Sequence, residues 1–154
     1  MKYRTYPNTD IAVSEVGFGL WTTSTGWWGE ITDAGAVALL REAAGEHKNA
    51  LVVNTSSISG KRGEAWLSVY SATKHGVVGW TEAMNKELAP QGIKSSALCP
   101  AFVDTPMTEF AKQHVPAEDM IRPQDIAEAV RYLLKVSPAC IVPEMMFTRP
   151  GDAL

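Results

Sequence analysis

Three side chains that together can move a proton stand close in this 154-residue sequence: Ser57, Tyr70 and Lys74. Tyr70 and Lys74 are four positions apart, so on a helix they share a face and reach one another. A free phenol ionises near pH 10 and is a poor base at neutral pH. An ammonium one turn away favours the phenolate and draws that value down. Ser57 follows the apolar run Ala50 to Thr55, at what reads as the carboxyl end of a strand, where ligand sites of open α/β sheets concentrate. Tyr-x-x-x-Lys by itself is a weak signal and equally a solvated surface pair. Its setting in the chain gives it meaning.

The setting is an alternation of strands and helices. Residues 50–55 read as a strand, and 69–89 as a long helix with Thr73, Val77, Trp80, Met84 and Leu88 on one face. Pro90-Gln91-Gly92 stops that helix. Residues 93–99 form the next strand, ended by Pro100, and a mixed loop covers 101–120. Pro123 opens a helix with Ile126, Val130, Leu133 and Leu134 inward, and 141–147 make a last strand. Upstream, residues 2–16 read as two short strands about the turn Pro7-Asn8-Thr9-Asp10, and 16–22 as a buried strand. A loop carrying Trp27 and Trp28 follows, then a helix capped by Thr32 or Asp33, with Val37, Leu40 and Ala44 inward.

Composition narrows the function. The chain is 45% hydrophobic and 20% charged, with 12 Gly and 9 Pro, which is ordinary globular usage and excludes disordered, collagen-like and coiled-coil readings. A net charge of −3 gives no electrostatic reason for a nucleic-acid or anionic-membrane partner. No run approaches the roughly 18 apolar residues of a membrane helix, and no apolar signal core follows Met1-Lys2-Tyr3-Arg4. Cys99 and Cys140 stand far apart, without CxxC spacing or enough histidine for a zinc set; His47, His75 and His114 are scattered. Reduced thiols, no metal and a cytoplasmic location are expected.

Ser57 precedes Tyr70 by thirteen residues, and the following strand closes on Pro100-Ala101-Phe102-Val103-Asp104-Thr105. With the segments NTSSISG (54–60), YSATK (70–74) and PAFVDTPM (100–107), residues 39–152 resemble the carboxyl-terminal half of the short-chain dehydrogenase/reductases. The resemblance implies an NAD(P)-dependent oxidoreductase that interconverts a secondary alcohol and a carbonyl through Ser57, Tyr70 and Lys74. Tyr70 would give or take the hydroxyl proton as hydride moves to or from the nicotinamide. Tyr70 and Lys74 would also contact the cofactor, Lys74 at the nicotinamide ribose, and Ser57 would orient the substrate oxygen. Pro100, the backbone at Val103, and Thr105 match positions lining the carboxamide and phosphate side. Residues 105–115 match a substrate-covering loop, and helix 69–89 matches one that packs on its mate in a homo-oligomer.

Two departures qualify the resemblance. Ala101 stands where the family usually has Gly; if that position needs φ > 0, its Cβ costs about 1–2 kcal/mol. The TGxxxGxG loop that would approach a pyrophosphate is absent, so impaired binding of NAD or NADP is expected. In its place, residues 1–40 are similar to the start of an aldo-keto reductase, with a β-hairpin and the strand GFGLW (17–21), but without that family's catalytic groups. The chain therefore reads as two pieces, 1–40 and 41–154, forming one structural unit. The expected fold is α/β: a partial doubly wound, Rossmann-like parallel sheet with an N-terminal β-hairpin. Two rival functions stay open, an inactive chimeric or truncated fragment and an aldo-keto reductase.

Overall fold

The structure, a computed structural model, describes residues 3–5, 12–14, 32–47 and 50–152. Strand β1 (Tyr3–Thr5) pairs antiparallel with β2 (Ala12–Ser14), Tyr3 opposite Ser14. The strand expected over 16–22 and the loop holding Trp27 and Trp28 lie outside the described residues. Helix α1 (Asp33–His47) begins at Thr32, whose Oγ1 accepts a hydrogen bond from the Gly35 N–H at 3.1 Å. This is the side-chain cap that satisfies an otherwise orphaned donor in the first turn.

The body of the fold is a three-stranded parallel sheet in chain order: β3 (Ala50–Thr55), β4 (Ile93–Pro100) and β5 (Glu144–Phe147). Helix α2 (Ser68–Leu88) makes the crossover from β3 to β4, and α3 (Pro123–Lys135) the crossover from β4 to β5. Parallel neighbours require such crossovers. Gly92, at φ 82°, adopts the left-handed conformation that turns the chain from α2 into β4. Strand β5 starts three residues later than expected. Pro143 has no N–H for a ladder, and its carbonyl instead accepts from Ala97 N–H at 2.9 Å.

One apolar cluster joins α1 to the strands, with Ala44, Ala50, Val52 and Ile93 buried and Leu40, Ala43, Met84 and Leu88 packed on them. Val37, expected inward, is 46% exposed. Helix α2 departs further from its expected face. Its buried residues are Ser71, Val78 and Thr81, whereas Thr73 is exposed and Trp80 is 48% exposed.

The reason is polar docking. Asn54 Nδ2 of β3 donates to Thr81 Oγ1 at 3.0 Å and to Ser95 Oγ of β4 at 2.9 Å. Asn85 Nδ2 donates to the Ser95 carbonyl at 2.8 Å, and Asn85 Oδ1 accepts from the Ser95 N–H at 2.7 Å. The Asn85 amide thus stands in for a strand where Ser95 lies below the start of β5. Only Val78 of the buried residues meets apolar partners there, Ala97 and Cys99. Hydrogen bonds are directional, so this docking fixes the position of α2 more narrowly than apolar contact alone.

Helix α3 buries Ala129 and Leu133 and half-buries Ile126, Val130 and Leu134, in line with its expected inward face. On the other face of β4, buried Lys94 donates to the carbonyls of Ser137 (3.1 Å) and Cys140 (3.2 Å), tying the chain after α3 to the sheet. Burial pushes its amine below the usual lysine range. Among the described residues no helix is long and apolar enough to cross a membrane, and no His, Cys, Asp and Glu group could hold a metal ion.

Candidate active site

The carboxyl ends of β3 and β4 carry the candidate residues. Beyond Thr55 the chain folds into a buried 3-10 turn, Ile58–Gly60, capped by Ser57, whose Oγ accepts from Ser59 N–H at 3.2 Å. The same hydroxyl donates to the Pro100 carbonyl at 3.5 Å, so Ser57 and Pro100 meet at the mouth of adjacent strands. A bond this long is readily exchanged for a better acceptor.

Tyr70 lies in the first turn of α2 and is 43% exposed. Lys74 Nζ sits over its ring, 5.6 Å from the centroid, and donates to the Thr55 carbonyl at 3.0 Å. The expected helical pair is therefore a real contact, pinned to the end of β3. Its ammonium keeps further N–H donors for a ligand. Cys99, although close by, is buried, and burial pushes its thiol up; it stays protonated and is no nucleophile.

The loop after β4 is held from two sides. Val103 and Ile121 form an isolated parallel bridge, with Asp104 N–H donating to the Ile121 carbonyl and Ile121 N–H to the Phe102 carbonyl, both near 3 Å. In that arrangement the Val103 N–H points away from Ile121. Thr108 Oγ1 donates to the Val103 carbonyl and accepts from Thr105 N–H at 3.1 Å. Thr105 is the cap of the 3-10 helix Pro106–Gln113, which fills much of the expected loop 101–120. Ala101 does not adopt positive φ; among the described non-glycine residues only Trp66 does, at φ 67°. The expected strain at Ala101 is thus absent.

Behind this loop, Arg149 stacks over Phe102, 5.7 Å from the ring centroid, and binds Asp152 through Nη2 (2.7 Å) and Nε (3.3 Å). The Arg149 hydrogen bonds hold the Asp152 carboxyl below the usual carboxylate range. A group depressed in this way stabilises the fold above its unfolded value, and that contribution disappears as pH falls through the folded one. Asp152→Asn should therefore cost about 1 kcal/mol at pH 7 in urea unfolding, and the difference from the unaltered chain should vanish in acid below the ordinary aspartate range.

Sequence reasoning names Ser57, Tyr70, Lys74, Pro100, Val103 and Thr105 as candidates but misses the parts that seat them. Gly60 lies so close to α2 that an added Cβ would stand 2.7 Å from the Lys74 carbonyl oxygen. Ser56 Oγ donates to that same oxygen at 2.9 Å. A glycine three residues after Ser57, and a polar Asn54 inside an apolar strand, were the available signals. Tyr70 stands in the first turn after Trp66, which is fully exposed as well as backbone-strained.

Comparison with known proteins places the chain in a family. The profile of the short chain dehydrogenase family matches residues 32–116. A 3-oxoacyl-acyl-carrier-protein reductase of Synechocystis is 31% identical over 111 residues, covering 69% of this chain and 45% of that protein. The structure of a variant actinorhodin polyketide ketoreductase with NADPH superposes with a TM-score of 0.60 at 31% identity, over 73% of this chain and 51% of that one. A 3-ketoacyl-(acyl-carrier-protein) reductase from Brucella melitensis complexed with NADH gives a TM-score of 0.62 at 26% identity, over 76% and 49%. The chain spans about half the length of the relatives it matches. With a family profile across more than half of its residues and a Rossmann-type sheet beneath the site, the chain belongs to the short chain dehydrogenase family.

Proposed function

We propose that this chain is an NAD(P)-dependent oxidoreductase that interconverts a secondary alcohol and a carbonyl through Ser57, Tyr70 and Lys74. The observation that carries the reading is the Lys74 ammonium over the Tyr70 ring, pinned to Thr55 one residue before the Ser56–Ser57 pair. In the reducing direction Ser57 Oγ releases the Pro100 carbonyl and donates to the substrate carbonyl oxygen. Tyr70 Oη delivers its proton to that oxygen, and the Lys74 ammonium stabilises the phenolate left behind. In the oxidising direction Tyr70 takes the same proton back. A bound nicotinamide supplies or accepts the hydride.

The donors present suit such a cofactor on its nicotinamide side. Lys74 has N–H groups beyond the one given to Thr55, suited to ribose hydroxyls, and the Val103 N–H is directed away from its bridge partner, suited to a carboxamide oxygen. Pro100 and Thr105 flank these positions at the end of β4. Relatives named as acetoacetyl-CoA and 3-oxoacyl-acyl-carrier-protein reductases support a β-ketoacyl thioester as the substrate. A second copy docking along α2, where Val69 and Trp80 are exposed, belongs to the same proposal, as does a cytoplasmic setting that keeps Cys99 and Cys140 free.

A second reading draws on the absence of a TGxxxGxG run from residues 1–154: the chain keeps the Ser–Tyr–Lys site and grips the cofactor poorly. The family profile starts at residue 32, so an aldo-keto-reductase-like segment joined to that site would span residues 1–31 rather than 1–40. Fluorescence titration with NADH and NADPH separates the two. Binding weaker than that of a full-length relative by about tenfold (~1.4 kcal/mol) or more is expected. Saturable binding with turnover of a β-ketoacyl thioester supports the oxidoreductase, and no binding at millimolar nucleotide supports the second reading.

A further inference from the structure

Lys74 is gripped at both ends by two consecutive residues. Its ammonium donates to the Thr55 carbonyl at 3.0 Å, and its own carbonyl accepts from the Ser56 hydroxyl at 2.9 Å. The next residue in the chain is Ser57. The side chain that touches the substrate, in the function proposed above, is thus one peptide unit from the hydroxyl that fixes the tyrosine-bearing helix.

Ser56 is well placed for such a task. It is 3% exposed, and its N–H donates to the Leu98 carbonyl of β4 at 2.8 Å, so it moves with the sheet. Gly60 closes the other side, since a Cβ there would lie 2.5 Å from Ser56 Oγ and 2.7 Å from the Lys74 oxygen. Apolar contact supplies little register in this part of α2, because Ser71, Val78 and Thr81 are its buried residues. A carbonyl oxygen has a second lone pair after its helical bond, so the Ser56 bond is added to the helix without breaking it.

We propose that Ser56 is a positioning residue, whose hydroxyl sets the height of α2 against β3 and thereby the separation of the Ser57 and Tyr70 hydroxyls. The inference rests on the Ser57–Tyr70–Lys74 reading for its kinetic consequence and on geometry alone for its structural one. Misplacing reacting groups by about 1 Å costs about a hundredfold in rate. Without the hydroxyl, the tie between residue 74 and the end of β3 passes only through the flexible lysine side chain, while the Asn54–Thr81 and Asn85–Ser95 bonds hold the later turns of α2.

The test compares the full chain with Ser56→Ala, both shown to be folded by circular dichroism. Crystal structures should show the Ser57 Oγ to Tyr70 Oη separation changed by about 0.5 Å or more, with β3, β4 and β5 superposed. With a β-ketoacyl thioester and saturating NADPH, kcat should fall about 10-fold to 100-fold while KM stays within about twofold. An unchanged separation overturns the proposal, whatever the activity. An altered separation in a chain whose unsubstituted form has no turnover leaves the positioning role standing and removes the catalytic reading instead.

Discussion

In the proposed reaction Tyr70→Phe should lower kcat by about 10³-fold, with cofactor affinity unchanged within about twofold. The substitution removes one oxygen from a side chain that is 43% exposed, so it neither opens a core cavity nor strands a buried partner. The ring stays, and with it the Lys74 ammonium 5.6 Å from its centroid. What disappears is the proton that must reach the substrate oxygen while the carbon gains hydride. Ser57 does not replace it, because an alcohol without a neighbouring base or acid only donates a hydrogen bond. Stopped-flow absorbance at saturating nucleotide and substrate measures kcat, and nucleotide fluorescence measures affinity. A loss confined to affinity would assign Tyr70 to binding and leave the proton without a donor.

Gly60→Ala should lower stability by about 2–3 kcal/mol and depress turnover more than a stability loss explains. Gly60 does not need positive φ; the obstacle is space. The new Cβ would meet Ser56 Oγ at 2.5 Å and the Lys74 oxygen and carbon at 2.7 and 2.9 Å, two of them backbone atoms that cannot swing aside. Either the turn Ile58–Gly60 or the start of α2 must move, and both carry the site. Gly76 and Gly79 supply the contrast, because nothing lies within 4 Å of a Cβ at either position. Alanine there should raise helix stability by about 0.5–1 kcal/mol. Urea denaturation of the variants should shift the midpoint down for Gly60→Ala and up for the other two, with a common slope. An unshifted midpoint for Gly60→Ala would mean that the turn Ile58–Gly60 and helix α2 are not in close contact.

Much of the site was readable because its spacing is local. Tyr70 and Lys74 meet by helical periodicity, and Ser57 follows an apolar run that had to be a buried strand. The face of α2 was not readable in the same way. Counting apolar positions selected Thr73 and Trp80, but the helix docks through Ser71, Thr81 and Asn85, whose partners Glu64, Asn54 and Ser95 lie on other elements. Polar residues look solvent-bound in a sequence until their partners are in place. Val37 illustrates the converse: it matched a helical stripe, yet the apolar contact of α1 runs through Leu40, Ala43 and Ala44. The late start of β5 was legible in Pro143, which cannot donate to a ladder. The left-handed backbone at Trp66 was not, since no residue type there signals positive φ.

In the proposed reaction the proton and the hydride move in one event, so isotope transfer tests them together. The full chain is incubated with a β-ketoacyl thioester and a reduced nicotinamide nucleotide carrying deuterium at both C4 positions, so that either face delivers the label, and the alcohol product is analysed by mass spectrometry. One deuterium on the carbinol carbon with the unaltered chain, and labelled alcohol formed about 10³-fold more slowly with Tyr70→Phe, is the predicted result. Label transfer at an unaltered rate with Tyr70→Phe, or alcohol formed without the label, would contradict the assignment of this chemistry to Ser57, Tyr70 and Lys74.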